Sequence, residues 1–232
     1  MEMLSKNIDF LKTLDTEEFY EKDEDEMRRY AHQALQELLQ LGSDATSALC
    51  GLLNTEFTWS CFFALTLLRQ IKDPESIPEL IAFLRKASDD AMANEEAMLA
   101  LQDIGDLSIQ PLIEELDIEF SHKKYNSYLV GALTGILGPL PYDFMITVTK
   151  DFVSNPSRYK GWFFIDDFTY NFVLQERQEA LPLLREVLDM KVLSVSEREE
   201  IQDTIQALEH PEDYKKEVQD TLKEIEEAVE KT

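Results

Sequence analysis

Apolar residues recur along most of this chain at intervals of three and four, the spacing that aligns them on one face of an α-helix. Ala64, Leu65, Leu68 and Ile71 make one such stripe, and Ile77, Leu80, Ile81 and Leu84 make the next. Between them Asp73 and Pro74 end the first helix, and Ser76 with Glu79 has the spacing of a capping box that opens the second. Strand-like alternation of comparable length does not occur in the sequence. The expected class is therefore all-α.

The same two-helix pattern repeats. Ser76, Ile77, Leu80, Ile81 and Leu84 match Ser108, Ile109, Leu112, Ile113 and Leu116 at a shift of 32 residues. Ala64, Leu68, Ile71 and Asp73 match Ala97, Leu101, Ile104 and Asp106 at 33. A weaker copy runs from Ala34 through Leu35, Leu38 and Leu39 to Gly42, then Ala45, Ala48, Leu49, Leu52 and Leu53. A fourth spans Ala180 to Leu188. Gly42 and Gly105 stand where first helices should end, as suits a residue free to turn left-handed at a C-terminus. A pair of helices that cannot bury both its sides must stack on copies of itself, so the expected architecture is an α-solenoid of about five pairs with capping helices.

The run Ala97 to Leu101, Ile104-Gly105-Asp106, then Ser108-Ile109-x-Pro111-Leu112-Ile113-x-x-Leu116 resembles the short HEAT-like repeats of phycobilisome lyase-type proteins. The resemblance is specific over residues 58 to 117 and extends to 27 to 54 and 159 to 189. It implies a superhelix of antiparallel helix pairs. Residues 125 to 156 depart from it, with Gly138-Pro139-Leu140-Pro141 in place of the usual turn, and a kink or enlarged repeat is expected there. The corresponding domain reading is an acidic leader or N-terminal capping helix over 1–26, a repeat array over 27–193, and C-terminal capping helices over 194–232.

The resemblance also brings enzymes to test. Deoxyhypusine hydroxylase builds a di-iron site on such repeats from His-Glu pairs, because iron needs imidazole and carboxylate ligands on facing helices. Here His32, His122 and His210 are followed by Gln, Lys and Pro, so that pattern is missing. The HEAT-like alkylpurine DNA glycosylase needs a cationic face to hold phosphates, whereas this chain of 232 residues has a net charge of −25, spread along its length. A field of that sign repels nucleic acid and anionic lipid and favours basic protein surfaces. Asp73 and Asp106 occupy the same turn of successive repeats and read as caps, not a catalytic pair. Cys50 and Cys61 sit on apolar stripes and read as small buried hydrophobes, too few for a disulfide framework or a zinc site. No cofactor or metal is expected, and with no signal-like or membrane-spanning run the cytoplasm is the expected location.

Trp162, Phe163, Phe164, Phe168, Tyr170 and Phe172 crowd into a short stretch. On a continuous helix Phe164, Ile165, Phe168 and Phe172 would share one stripe and Phe163, Tyr170 and Leu174 a second. Two stripes suit an interior helix; an exposed second stripe, beside Asp166 and Asp167, would be an aromatic binding platform. At the ends, Asp15 with Glu18 is a candidate capping box, followed by the acidic run Glu21 to Glu26. After a break at His210-Pro211, Tyr214, Val218, Leu222, Ile225 and Val229 form a narrow stripe suited to a solenoid cap, with a dimerising helix as the alternative.

These readings converge on a noncatalytic protein-protein interaction scaffold or adaptor, monomeric, with neither nucleic acid nor membrane as partner. If second helices line the concave side, the residues off their buried stripes face the groove: Glu79 and Phe83, then Glu114 and Glu115, then Arg185 and Glu186. A basic protein segment is the expected partner, anchored on Phe83 and Trp162. The alternative, which the resemblance brings, is a small-molecule or pigment-handling accessory protein or lyase.

Overall fold

The computed structural model describes residues 2–16, 24–54, 58–86 and 90–229, with the side chains of 24–28, 166, 170, 217 and 224–229 left outside that description. Among the described residues there is helix but no strand, as the periodicity requires. None of the described helices is long and apolar enough to cross a membrane. The chain divides into two compact units, Met1–His122 with Asn126–Ile136, and Lys123–Tyr125 with Leu137–Thr232. The division falls within the stretch where the repeat pattern fails.

The first unit holds α1 (Glu2–Thr13), α2 (Glu24–Leu41), α3 (Thr46–Cys50), α4 (Trp59–Ile71), α5 (Ile77–Lys86), α6 (Ala91–Ile104), α7 (Asp106–Ser121) and α8 (Ser127–Thr134). The most extensive packing is between α4 and α6, and α6 in turn packs on α8. Ala64, Ala97 and Ala100 are fully buried, so small side chains let these backbones approach closely. α5 lies against α6, α7 and α8, and α7 against α6 and α8. Leu65, Leu68, Leu80, Leu84, Leu101, Leu112 and Leu116 fill the space between, all buried.

The turns have specific chemistry. Gly42 and Gly105 do adopt positive φ, 56° and 78°. α4 ends instead on Lys72, left-handed at φ 56° and ψ 33°, a conformation that disfavours a Cβ. Asp73 caps the 3-10 turn leading into α5: one carboxylate oxygen accepts from the Glu75 amide at 3.1 Å, the other from the Thr46 hydroxyl at 2.6 Å, and its carbonyl accepts from the Ser76 hydroxyl at 2.7 Å. The Ser76–Glu79 box is not made: Ser76 lies buried inside the 3-10 turn instead of standing as the cap of α5, and its hydroxyl donates to Asp73. Asp106 is the first residue of α7, and Gly105 is its cap without a side chain to offer.

Asp15 does act as a cap, but across space. Its carboxylate accepts from the amides of Trp59 and Ser60 at 2.6 and 3.2 Å and from the Ser60 hydroxyl at 2.5 Å, fastening the end of α1 to the start of α4. Glu18 and the run Glu21 to Glu26 lie outside the described residues or side chains. α1 itself buries Asn7, Ile8 and Leu11, so it belongs to the core of this unit.

The second unit holds α9 (Pro139–Ser154), α10 (Pro156–Tyr159), α11 (Ile165–Leu174), α12 (Leu181–Leu188), α13 (Val195–Glu209) and α14 (Pro211–Val229). Gly138 and Pro139 open α9, proline suiting a first helical position where its missing N–H costs nothing. α11 and α12 pack on α9 and on α13. α12 enters through a 3-10 turn with Pro182 near its start, as α5 enters with Pro78. Ser194 and Glu197 form a complete capping box at the start of α13.

Leu80→Ala and Leu112→Ala are each expected to cost about 2 to 5 kcal/mol, as fully buried large-to-small changes do. Asp73→Ala should cost about 1 to 2 kcal/mol through its lost caps, and Glu79→Ala close to nothing. A denaturant titration of the four variants checks the ranking; a cost at Glu79 equal to that at Asp73 would overturn this account of the turn.

Candidate interaction grooves

α5 and α7 leave a groove of about 400 Å³ between them. Pro78, Ile81, Ala82 and Arg85 form the α5 wall, Pro111, Glu114, Glu115 and Ile118 the α7 wall, and Pro74 and Ile77 close one end. Each wall repeats at three- and four-residue steps because side chains at those intervals share a helical face. The floor is apolar and the acidic groups come from α7. Glu114 is exposed and accepts from the Gln110 amide at 2.9 Å.

Glu115 is different. It is only 8% exposed, and its Oε1 has no hydrogen-bond partner among the described residues. Arg85 Nη1 lies 3.6 Å away, an ion pair but beyond hydrogen-bond reach. A desolvated carboxylate oxygen without a hydrogen bond is costly, and the Arg85 guanidinium beside it offsets part of that cost.

A second groove, about 420 Å³, lies between α3 and α5, lined by Thr46, Ser47, Cys50, Gly51, Glu75 and Glu79. Cys50 is half-buried here instead of sealed in the core, and Cys61 is buried. Burial, then the negative charges of Glu79 and Asp73, push the Cys50 thiol up to about 11.

The sequence-predicted residues separate into three groups. Glu114 and Glu115 line the α5–α7 groove and Glu79 the α3–α5 groove. Phe83 lines neither: at 4% exposure it is a core residue, although it lies off the Leu80–Leu84 stripe, because α5 packs against α6, α7 and α8 and not against one neighbour alone. It can offer no exposed anchor. Trp162, Arg185 and Glu186 belong to the second unit. There Arg185 pairs with Glu209 at 2.5 Å, Glu186 is exposed, and Trp162 is half-buried.

Trp162 stacks on Tyr159 with centroids 5.5 Å apart, and its indole N–H donates to the Arg158 carbonyl at 2.8 Å. The two continuous aromatic stripes expected around it do not form. α11 begins only at Ile165, so Phe163 and Phe164 precede the helix, and Phe164, its N-cap, is on extended backbone. Phe163 is buried among Tyr125, Phe152, Tyr159 and Phe168, whereas Phe164 is 54% exposed. Phe168 and Phe172 are buried core, and the side chains of Asp166 and Tyr170 lie outside the description. Beside the cluster a cleft of about 580 Å³ is lined by Trp162, Phe164, Val192, Lys160 and Glu197 among others. The Tyr159 hydroxyl donates to Asp151, which holds that carboxyl below its usual range. Desolvation first, and then the same bond, raise the phenol.

α14 also departs from expectation. Its stripe is not covered by α13: Val218 is 39% and Leu222 55% exposed, bordering a groove of about 650 Å³ with Asp203, His210, Asp213 and Tyr214. Ile225 and Val229 lie outside the described side chains.

Among the described residues no three His, Cys, Asp or Glu side chains are gathered to hold a metal ion. No family model, curated protein or solved structure matches the chain.

Cys50, its thiol pushed up to about 11, is almost wholly protonated at neutral pH and should react with iodoacetamide roughly tenfold more slowly than an ordinary exposed cysteine, the lower thiolate fraction being partly offset by the greater nucleophilicity of a more basic thiolate. Glu79→Gln removes one of the charges raising it and should speed alkylation at Cys50 while leaving Cys61 unchanged. Peptide mapping by mass spectrometry reads both sites; no difference between wild type and Glu79→Gln would mean Glu79 does not face the thiol.

Proposed function

We propose that this protein is a noncatalytic binding scaffold of the cytoplasm, whose first unit takes up a basic protein segment in the grooves flanking α5. The observation that carries the reading is the α5–α7 groove, an apolar floor with the carboxylates of Glu114 and Glu115 on one wall. An arginine or lysine from a partner pairs with the carboxylates of that wall, and an apolar neighbour of that residue seats on Pro78, Ile81, Pro111 and Ile118. Charge-assisted bonds in such a place are the strong ones. The exposed carboxylates of Glu114 and Glu79 act mainly on the approach, steering a cationic segment to the groove.

The architecture belongs to the same proposal. We take α4 with α5 and α6 with α7 as successive HEAT-like helix pairs in a short solenoid, in which α3, α5 and α7 are the second helices. The packing of α4 on α6 and of α5 on α7, at a sequence shift of 32 to 33, supports that arrangement. Phe83 has no place in the binding surface, and Trp162, Arg185 and Glu186 are not needed for it.

Glu114→Lys, at an exposed position, should leave the fold intact and slow association about tenfold at physiological salt, with dissociation changing less. A partner captured from native lysate and measured by surface plasmon resonance at rising salt checks this. Equal binding by wild type and Glu114→Lys at every salt concentration would overturn the groove. A stoichiometric chromophore or metabolite in the native purified protein, seen by absorbance and mass spectrometry, would favour the pigment-handling reading instead.

A further inference from the structure

α14 packs chiefly on α13, and that cover falls away along its length. Tyr214 is half-buried, Val218 is 39% exposed and Leu222 is 55% exposed. The groove of about 650 Å³ between the two helices is bounded by two helical faces, with Asp203, Ala207 and His210 on α13 and Tyr214, Val218 and Leu222 on α14, each set at steps of three or four residues. Most of a helix's stability in a protein comes from burying its apolar face, and here much of that face stands in water.

The charges around the groove define the partner that fits. Asp203 stands on one wall and Asp213 at the other, both exposed. Lys215, which could have balanced them, is held by Glu176 at 2.8 Å and lines a different groove. α14 as a whole carries more than twice as many acidic as basic residues. An apolar stripe flanked by cations complements this surface, whereas a second copy of the chain would bring a further net charge of −25 against it.

The shape defines the conformation. Two helices side by side leave a furrow whose side chains repeat at three- and four-residue steps, and a third helix fills it by setting ridges of the same period between them. A helix also makes its backbone hydrogen bonds within itself. It therefore asks nothing of walls that, among the described residues, present no strand edge.

We propose that the α13–α14 groove docks a basic amphipathic α-helix of a partner protein, with its apolar stripe on Tyr214, Val218 and Leu222 and its lysines or arginines beside Asp203 and Asp213. This surface lies in the second unit and is separate from the grooves flanking α5, which belong to the first. The apolar contact holds the complex, and the carboxylates chiefly speed its formation.

The probe is a fluorescein-labelled peptide of leucine and lysine, about 14 residues or four helical turns long, with its leucines at steps of three and four so that they share a face. One control has the same composition with leucine and lysine alternating, and a second keeps the helical spacing with glutamate in place of lysine. Binding to the full chain is followed by fluorescence anisotropy at an ionic strength of about 0.15 M. The helical basic peptide should bind at least about tenfold tighter than either control, and Leu222→Asp should weaken it about tenfold. Glu114→Lys, in the first unit, should leave it unchanged. If circular dichroism shows that Leu222→Asp loses helix, Asp203→Lys on the opposite wall replaces it, and weaker binding is again expected. Equal binding of the two leucine and lysine peptides, tighter binding of the glutamate peptide, or no binding by any of them overturns the proposal. Weakening by Glu114→Lys with none from the groove variant also overturns it, since the peptide would then sit beside α5 and the reading of the first unit would stand. A dimer in sedimentation equilibrium that Leu222→Asp turns into a monomer would make a second copy the occupant, and the proposal would fall.

Discussion

Asp73 is the point on which the first unit's geometry depends. It accepts from Thr46, Glu75 and Ser76 at once, so a single residue joins α3, the end of α4 and the start of α5. The bonds from Thr46 and Glu75 go to the charged carboxylate and are stronger than neutral ones, while Ser76 donates to the backbone carbonyl. The bond from Thr46 runs between elements 27 residues apart, and that bond fixes how far α5 stands from α3.

Ion pairs on the α4–α6 side act differently. Arg69 bonds Asp103 at 2.7 Å and Glu96 at 3.2 Å, and Lys72 reaches Asp103 at 3.3 Å. These side chains are partly exposed, so they contribute little stability individually, and solvent screening reduces them further. Their consequence is electrostatic: basic residues are held by acidic ones there, while Glu79 and Glu114 remain exposed on the grooves. In a chain with 47 acidic and 22 basic residues, positions where carboxylates outnumber their partners are common, so acidity alone marks no site. The distinguishing feature of the α5–α7 groove is burial of one carboxylate against an apolar floor.

The second unit shows a separate use of rings. Phe152, Tyr159, Phe163 and Phe168 contact one another in a buried cluster, which does for α9, α10 and α11 what leucine stripes do in the first unit. Edge-to-face and tilted geometries prevail in it, as the ring quadrupole favours. Asp151 joins the cluster through the Tyr159 hydroxyl, giving a polar tip a partner that burial would otherwise deny it.

Much of this was legible in the sequence because helix periodicity is a local property: the stripes at Leu65, Leu68, Leu80, Leu84, Leu101 and Leu112 are read from spacing alone, and all are buried. The positive φ at Gly42 and Gly105 and the break at Gly138-Pro139 are likewise local, and the acidic character of Glu79 and Glu114 needed only the phase of their helices. Tertiary contacts decided the rest. Phe83 is buried because α5 packs against three other helices, and its end is held from far down the chain, where the Asn126 amide donates to the Leu84 carbonyl 42 residues away. Phe163 and Phe164 part company because α11 starts after them, and no periodicity read through a helix boundary can foresee that. Asp15 caps a helix that begins at residue 59, and Ser76 turns to Asp73 in place of its own helix, since a side chain takes whichever donor or acceptor the fold brings nearest. The empty acceptor on Glu115 is of the same kind: spacing placed the residue on α7, but only the packing of α7 against α5 desolvated it and left it unfilled.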